Sequence, residues 1–170
     1  MVRYAEPGVV EWVDSGGGPL VAVPETVLPF WTGADGEETA SDYDRACEVD
    51  GHVGLLPVGD CTALVFGDEP ASTAFLPDHG AFVRWSAADS EAELLGSVPE
   101  ALRVADWSPE VRWNVPGPVR LFDAAWPGTA DAGTGHVRIA LDPGHYAVRA
   151  AHVQPGPETW LGLVHLRRLT

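Results

Sequence analysis

The chain has 170 residues, of which 45% are hydrophobic and 21% charged, a composition typical of a single folded domain over residues 1–170. Its 25 acidic residues outnumber 10 basic ones, and the net charge of −15 excludes direct attraction to nucleic-acid phosphates. Every basic residue is Arg, so chemistry that requires a lysine, such as a P-loop or a Schiff base, is excluded as well.

Along the chain, 19 Gly and 15 Pro residues separate short apolar runs, which favours strands over long helices. The runs predict strands at residues 10–13, 19–23, 52–56, 62–66, 81–85, 111–115, 118–123, 136–141, 145–149 and 160–168. Two neighbouring pairs are predicted to form hairpins, one around the turn from Pro57 to Asp60 and one around Asp142-Pro143-Gly144. The second pair alternates inward and outward residues most regularly, so it is the clearer hairpin pattern.

Helix-start signals occur at three places. Pro24 and Pro99 each precede a Glu and an apolar pair, which suits Pro in the first turn of a short helix. Ser41 can cap a third helix over residues 41–47, because its side-chain oxygen can accept from the free amides of the first turn. Together these elements predict a mostly β (α+β) fold, an antiparallel β-sandwich or barrel-like domain with a few short helices.

Similar residues recur in the same order in the two halves of the chain. Residues 10–86 and 87–168 are therefore candidate internal repeats, two pseudo-symmetric units within one domain. Coincidence is the alternative, because the matching segments are short. The first anchors are Trp12, Val23-Pro24-Glu25, Trp31 and Gly51-His52-Val53, and their counterparts are Trp85, Val98-Pro99-Glu100, Trp107 and Gly135-His136-Val137.

No recognisable catalytic or metal-binding pattern is present. The six His residues lack the spacing of a zinc site, and His52 and His136 are interpreted as structural. The Ser-Gly-Gly-Gly run at 15–18 lacks the context of a nucleophile elbow or phosphate loop and predicts a tight turn. Cys47 and Cys61 are expected to be buried, unpaired thiols. We therefore expect no enzyme activity, no metal and no cofactor.

Negative charge is concentrated in residues 1–86, which hold 15 acidic residues and 3 Arg. One interpretation of the densest cluster is a solvated surface that keeps the protein soluble. The other is a docking face, with Arg45 as the only counter-charge inside it. The candidate partner-binding residues are Asp35, Glu37, Glu38, Asp42, Asp44, Glu48 and Asp50.

A characteristic motif order runs through the first half: residues 12–25 (WVDSGGGPLVAVPE), 31–33 (WTG), 42–47 (DYDRAC) and 64–70 (LVFGDEP), with a weaker segment at 143–146 (PGHY). It resembles the immunity protein 21 family, whose bacterial members, frequent in actinobacteria, are thought to neutralise polymorphic secreted toxins. The resemblance brings no catalytic residues and leaves Asp42 open between a structural and a functional role. It implies that the motif residues are fold determinants, namely Trp12, Gly17, Pro19, Trp31, Gly33, Tyr43, Asp68, Glu69, Pro70 and Trp85.

The resemblance implies an immunity protein that neutralises a cognate secreted toxin by stoichiometric binding. Many antibacterial toxins, nucleases among them, have basic substrate clefts, and an acidic surface can occupy such a cleft in place of phosphates. The alternative is a small-molecule or carbohydrate-binding β module, or an enzyme, with a Trp-lined pocket; a structural domain without a dedicated ligand is the third. No apolar run approaches the roughly 18 residues of a membrane span. We expect a soluble cytoplasmic protein whose partner is a protein toxin, not nucleic acid or a membrane.

Overall fold

The structure, a computed structural model, describes residues 3–4, 9–35, 40–67, 69–130 and 135–170. The strands within these ranges are β1 Arg3–Tyr4, β2 Leu20–Pro24, β3 Val53–Val58, β4 Cys61–Phe66, β5 Thr73–Leu76, β6 Ala81–Ala87, β7 Val111–Val115, β8 Val119–Asp123, β9 Val137–Ile139, β10 Gly144–Gly156 and β11 Thr159–Arg168. The helices are α1 Asp42–Cys47, α2 Glu91–Gly96 and α3 Val98–Val104, with 3₁₀ helices at Glu25–Phe30 and Pro77–His79. Strands account for 42% of the described residues and helices for 18%, which confirms the mostly β (α+β) prediction.

The strands form two sheets that enclose the main core. One sheet has the order β1-β9-β8-β2-β4-β3 and the other the order β5-β6-β11-β10-β7. Their pairings are antiparallel except between β1 and β9, which run parallel. Leu20 and Leu121 from the first sheet pack in one cluster with Trp113 and Val164 from the second. The arrangement is an antiparallel β-sandwich, and the described pairings do not close it into a barrel.

Each sheet also buries its outer face. Because successive side chains of a strand point to opposite faces, Val21 and Val23 lie on the side of β2 away from Leu20. There they pack in one cluster with Val27 of the 3₁₀ helix Glu25–Phe30 and with residues of α1. On the second sheet, Leu163 packs in a third cluster with residues of α2 and α3. The domain therefore has a helical layer outside each sheet.

The first predicted hairpin is confirmed. β3 pairs antiparallel with β4, with Val58 opposite Cys61. In the turn, Gly59 has a φ of +58°, in the left-handed region that favours glycine. The predictions at 19–23, 81–85, 111–115, 118–123 and 160–168 correspond to β2, β6, β7, β8 and β11.

Helices begin at all three predicted places, although Pro24 ends β2 and precedes its helix instead of lying in the first turn. Pro24 immediately precedes the 3₁₀ helix Glu25–Phe30, and Pro99 lies in the first turn of α3. At α1, the Ser41 hydroxyl accepts from the Asp44 amide at 3.1 Å, and the Asp44 carboxylate accepts from the Ser41 amide at 3.2 Å. These two bonds form a capping box, which satisfies free amides at the helix start.

The second predicted hairpin is wrong. β9 pairs with β8 in the first sheet, whereas β10 pairs with β11 and β7 in the second. Residues 142–143 therefore connect two sheets rather than two paired strands. Ile139 of β9 and Val148 of β10 enter the same core. Alternation indicates that a strand has one buried face, but it does not encode which strand lies beside it.

Two smaller differences concern segments that lie against the second sheet. The strand predicted at 10–13 is reduced to an isolated bridge between Val13 and Thr73. Helix α2 was not predicted, although Ser90 caps it by accepting from the Glu93 amide at 3.1 Å. A Ser followed three residues later by Glu was the available sequence signal.

Both cysteines are free thiols, as predicted, but the expectation of burial is wrong. Cys47 is exposed because it ends α1 on the solvent side, and Cys61 is only partly buried at the start of β4. Desolvation nevertheless raises the pKa of the Cys61 thiol, which favours its protonated form.

The internal duplication stays a prediction. Gly51-His52-Val53 leads into β3 and Gly135-His136-Val137 leads into β9. Both strands belong to the six-stranded sheet. We retain the repeat of residues 10–86 and 87–168 as a proposal about the origin of the two halves.

A buried arginine fixes the loop that follows β4. Arg84 of β6 is only 4% exposed. Its guanidinium donates to the carbonyl oxygens of Gly67 and Glu69 at 2.9 and 3.2 Å and to the hydroxyl of Thr73 at 3.2 Å. The backbone of the Glu69 motif position therefore has a structural role, while its side chain is exposed.

We predict that Arg84→Met lowers the free energy of unfolding by about 2–4 kcal/mol, because it leaves buried acceptors without their charged donor. Urea denaturation measures the change. Arg103→Met is the matched control, since Arg103 is exposed and its guanidinium bonds Glu100 on the surface of α3. An equal loss in the two variants would contradict the structural role of Arg84.

Candidate partner-binding surface

The junction between the loop before β2 and the segment after β8 is held together by one buried carboxylate. Asp123, at the end of β8, is 7% exposed. Its carboxylate accepts from the Gly16 amide at 2.7 Å and from the Ala125 amide at 2.9 Å. The Ala124 amide next to it donates to the carbonyl oxygen of Pro19 at 3.0 Å. These bonds join the glycine-rich loop before β2 to the segment after β8.

Trp31 fastens a third segment to the same junction. Its indole donates to the carbonyl oxygen of Ala124 at 3.1 Å, and its ring meets Phe122 edge to face at 6.5 Å. The Gly128 amide donates to the Trp31 carbonyl oxygen at 2.8 Å. Trp31 is 1% exposed, so this motif residue is a core residue and not a ligand-stacking one.

Two glycines lie in close contact with neighbouring segments at this junction. Gly33 has a φ of +67°, and a Cβ built there would lie 2.5 Å from the carbonyl oxygen of Ala125. A Cβ on Gly18 would lie 2.5 Å from the Tyr43 hydroxyl. Gly17 also has positive φ, at +128°, but faces open space. The glycine pattern therefore lets the loops lie against one another and against α1.

Asp42 anchors α1 to the Trp31 segment. Its carboxylate, 13% exposed, accepts from the amide and hydroxyl of Thr32 at 2.8 and 3.1 Å and from Arg45 at 2.8 Å. Arg45 also donates to the Pro57 carbonyl oxygen at 3.0 Å. Asp42 thus has a structural role. Arg45, the basic residue within the acidic cluster, already bonds Asp42 and Pro57.

The other described acidic candidates lie on the surface around α1. We call Asp35, Asp44, Glu48 and Asp50, all exposed, the acidic surface. The Asp44 carboxylate takes part in the capping box, whereas those of Asp35, Glu48 and Asp50 accept no hydrogen bond from described residues. Glu37 and Glu38 lie outside the described residues.

Tyr43 of α1 has a pKa above its ordinary value. The pKa is raised first by the hydrogen bond to Cys47 and that group's charge, then by burial, and then by Asp123 and Asp44. The contact with Cys47 is therefore the main cause, and Asp44 is the smallest of these causes.

The remaining motif residues lie elsewhere. Trp12 and Trp85 contact each other edge to face at 5.4 Å, in the cluster beneath α2 and α3. Glu69 and Pro70 are exposed in the loop held by Arg84, and Asp68 lies outside the described residues. The motif residues therefore lie in two separate structural regions, one around Trp31 and one around Trp12 and Trp85, and they do not form a single site.

A family model for immunity protein 21 matches residues 11–159. The chain belongs to this family. Comparison with curated proteins finds no match, and comparison with solved structures finds none either. Membership implies that this immunity protein acts against a toxin, and it carries no assignment of residues to toxin binding.

The Trp-lined pocket alternative gains no support in this immunity protein. Trp31 and Trp113 are fully buried, whereas Trp126 and Trp160 are 47% and 46% exposed. Trp126 follows β8 of one sheet, and Trp160 lies in β11 of the other. A small cavity at the second sheet is lined by residues of β6, β10 and β11 such as Arg84, His152 and Leu163, together with His52, and by no Trp.

Within the described residues, no group of three or more His, Cys, Asp or Glu side chains is placed to hold a metal ion. None of the helices in this part of the chain has the length and apolar character that a membrane crossing requires.

His136 is a buried titratable group close to the junction. It is 1% exposed and stacks on Phe122 with 4.3 Å between the ring centroids. Neither ring nitrogen has a hydrogen-bond partner among the described residues. Burial, and then the charge of Arg120, lower the pKa of His136 to about 4. The ring is therefore neutral at pH 7.

We predict that Asp42→Ala lowers the free energy of unfolding by about 1–2 kcal/mol, since it removes the acceptor that Thr32 and Arg45 share at the start of α1. Glu48→Ala is the control, because Glu48 is exposed and accepts no hydrogen bond from described residues. Urea denaturation compares the two, and an equal loss would contradict the structural role of Asp42.

We predict that His136 makes the immunity protein less stable in mild acid. Its pKa in the folded state, about 4, lies below the ordinary value of 6.5, so the unfolded chain binds the proton more tightly. The stability from this residue is complete above pH 6.5 and falls as the pH drops toward 4; between pH 7 and 5 the loss is about 2 kcal/mol. Denaturation of wild type and His136→Phe across this range should show a flatter profile for the variant. Burial also lowers the pKa of His165, so the difference between the proteins is the relevant quantity, and equal profiles would contradict the prediction.

Proposed function

We propose that this immunity protein neutralises its cognate toxin by stoichiometric binding through the acidic surface, together with Glu37 and Glu38. The toxin would be a polymorphic secreted toxin that acts in the cytoplasm, and the protein would act there without a chemical step of its own. The observation that carries the proposal is a group of exposed carboxylates within residues 35–50, where the one Arg of that segment, Arg45, is engaged by Asp42 and by the Pro57 carbonyl oxygen.

The geometry supports a preformed binding surface. Asp35 lies one residue beyond Ala34, whose amide donates to the carbonyl oxygen of Ala125 at 3.0 Å. The helix that carries Asp44 and Glu48 is fixed to the adjacent loop by Asp42. A surface held in place before binding loses little conformational entropy on association.

The charge pattern favours a basic partner. The first 86 residues hold 15 acidic residues against 3 Arg, and charge complementarity raises association rates above the neutral range of about 10⁵–10⁶ M⁻¹s⁻¹. A nuclease would be a suitable target, because its cleft is built to bind phosphates and can accept carboxylates instead. Our proposal is that the immunity protein blocks such a cleft by occupying it.

The test is charge reversal that spares the carboxylates known to hold α1. We predict that replacing Glu37, Glu38, Glu48 and Asp50 with Lys leaves the thermal midpoint nearly unchanged and lowers the association rate at least tenfold. Asp42 and Asp44 are left intact because their carboxylates hold α1. The probe is the purified, inactivated toxin domain encoded beside this gene, and stopped-flow fluorescence measures association.

A matched control separates position from net charge. Lys at Asp78, Asp89, Asp106 and Glu158 makes the same change in charge at exposed positions outside the acidic surface. Binding of wild type should also slow as salt rises from 0.1 to 1 M, since the screening length falls from about 10 to about 3 Å. Equal association rates for the two quadruple variants would contradict the proposal.

A further inference from the structure

We propose that Trp126 and Phe30 are the apolar anchors of the same interface and insert into recesses on a basic protein surface of the toxin. This inference rests on the proposed function and adds the residues that would hold the complex together once charge has brought the partners into contact. It concerns exposed rings that the family motif does not include.

The two rings are unusually exposed for large aromatic side chains. Phe30 is 62% exposed at the end of its 3₁₀ helix, and Trp126 is 47% exposed after β8. By contrast, Trp31 and Phe122, which neighbour them in the chain and in the fold, are 1% and 0% exposed. Tertiary packing thus buries one aromatic residue of each segment and leaves another in solvent.

Hydrogen bonds place these segments side by side and next to the acidic surface. Ala34 donates to Ala125, so Asp35 and Trp126 follow two residues that are directly bonded to each other. A Cβ on Gly33 would lie 2.6 Å from the Trp126 carbonyl carbon. Asp35 and Trp126 therefore belong to one continuous stretch of surface.

Phe30 directly precedes residues 31–34, which are hydrogen-bonded to residues 125–128. Gly128, two residues after Trp126, donates to the carbonyl oxygen of Trp31, the residue that follows Phe30. The Phe30 ring rests near the β3–β4 turn, where a Cβ on Gly59 would lie 3.0 Å from it. Both rings are thus presented from backbone that is fixed before any partner arrives.

Exposed aromatic side chains on a fixed backbone are suited to an interface. Aromatic residues are enriched in interface cores, Trp above all among the residues that dominate binding energy, and they have few rotatable bonds to immobilise. Charged residues around them form the solvent-accessible rim. The arrangement of two rings beside a set of carboxylates has this composition.

The negative charge of the acidic surface determines which kind of partner can bind next to these rings. A second copy of this chain would bring another net charge of −15 to the same surface, so self-association there is opposed by repulsion. A basic protein surface is attracted, and its Arg side chains can pair with the carboxylates and lie over the Trp126 ring as cations. The structure therefore favours a partner rich in Arg or Lys around an apolar recess.

The experiment distinguishes the aromatic anchors from the acidic residues by their effects on the dissociation and association rates. With the inactivated toxin domain as probe, we predict that Trp126→Ala and Phe30→Ala each raise the dissociation rate at least tenfold and change the association rate less than twofold. Charge reversal at Glu37, Glu38, Glu48 and Asp50 should mainly lower the association rate. Trp160→Ala, which removes an equally exposed Trp from the other sheet, is the matched control and should change neither rate.

A second measurement does not depend on how well the variants fold. In protein labelled with 5-fluorotryptophan, the fluorine signal of Trp126, assigned with Trp126→Phe, should shift on addition of the toxin, while that of Trp160 should not. An unresponsive Trp126 signal, with dissociation rates equal to those of Trp160→Ala, would overturn the anchors and leave the proposed function standing if charge reversal still slows association. Failure of the wild-type chain to bind the toxin would overturn both.

Discussion

The carboxylate of Asp123 is the interaction on which the acidic side of the domain depends. It lies at the end of β8 and accepts amides from two segments that are far apart in the chain, at Gly16 and Ala125. Around it, Trp31 and Gly33 close onto the turn that follows β8. Its burial is tolerated because each oxygen receives a backbone donor, and a buried carboxylate without such donors would be strongly unfavourable.

Acidic residues consequently divide into two classes that composition does not separate. Asp123 and Asp42 have their oxygens engaged by donors of the fold, so they fix loops and helices. Asp35, Glu48 and Asp50 point their charge into solvent. The first class fixes the loops and the helix from which the second class extends.

The same frame explains why neighbouring aromatic residues have different surroundings. Trp31 completes the cluster between the six-stranded sheet and its helical layer, while Phe30 and Trp126 remain outside it. On the opposite side of the sandwich, Trp12 and Trp85 pack with one another in the cluster of α2 and α3. The motif tryptophans therefore stabilise the helical layers of two different sheets.

The features that could be predicted from the amino-acid order are local or belong to the family motif. Pro57 to Asp60 predicted the turn between β3 and β4, Ser41 predicted the start of α1, and the motif order predicted membership of the immunity protein 21 family. Each signal lies within a few residues of the structure that it specifies, because turns and caps are formed by neighbouring side chains and backbone groups.

Tertiary packing sets the non-local features. It placed β9 and β10 in different sheets, engaged Asp42 in the fold and exposed Trp126. Alternation of apolar and polar residues indicates that a strand has a buried face, but it does not identify the neighbouring strand. Likewise, an Asp in the sequence does not indicate whether an amide from another segment will donate to its carboxylate. These outcomes depend on contacts between residues that are remote in the chain, so they arise only when both sheets are packed together.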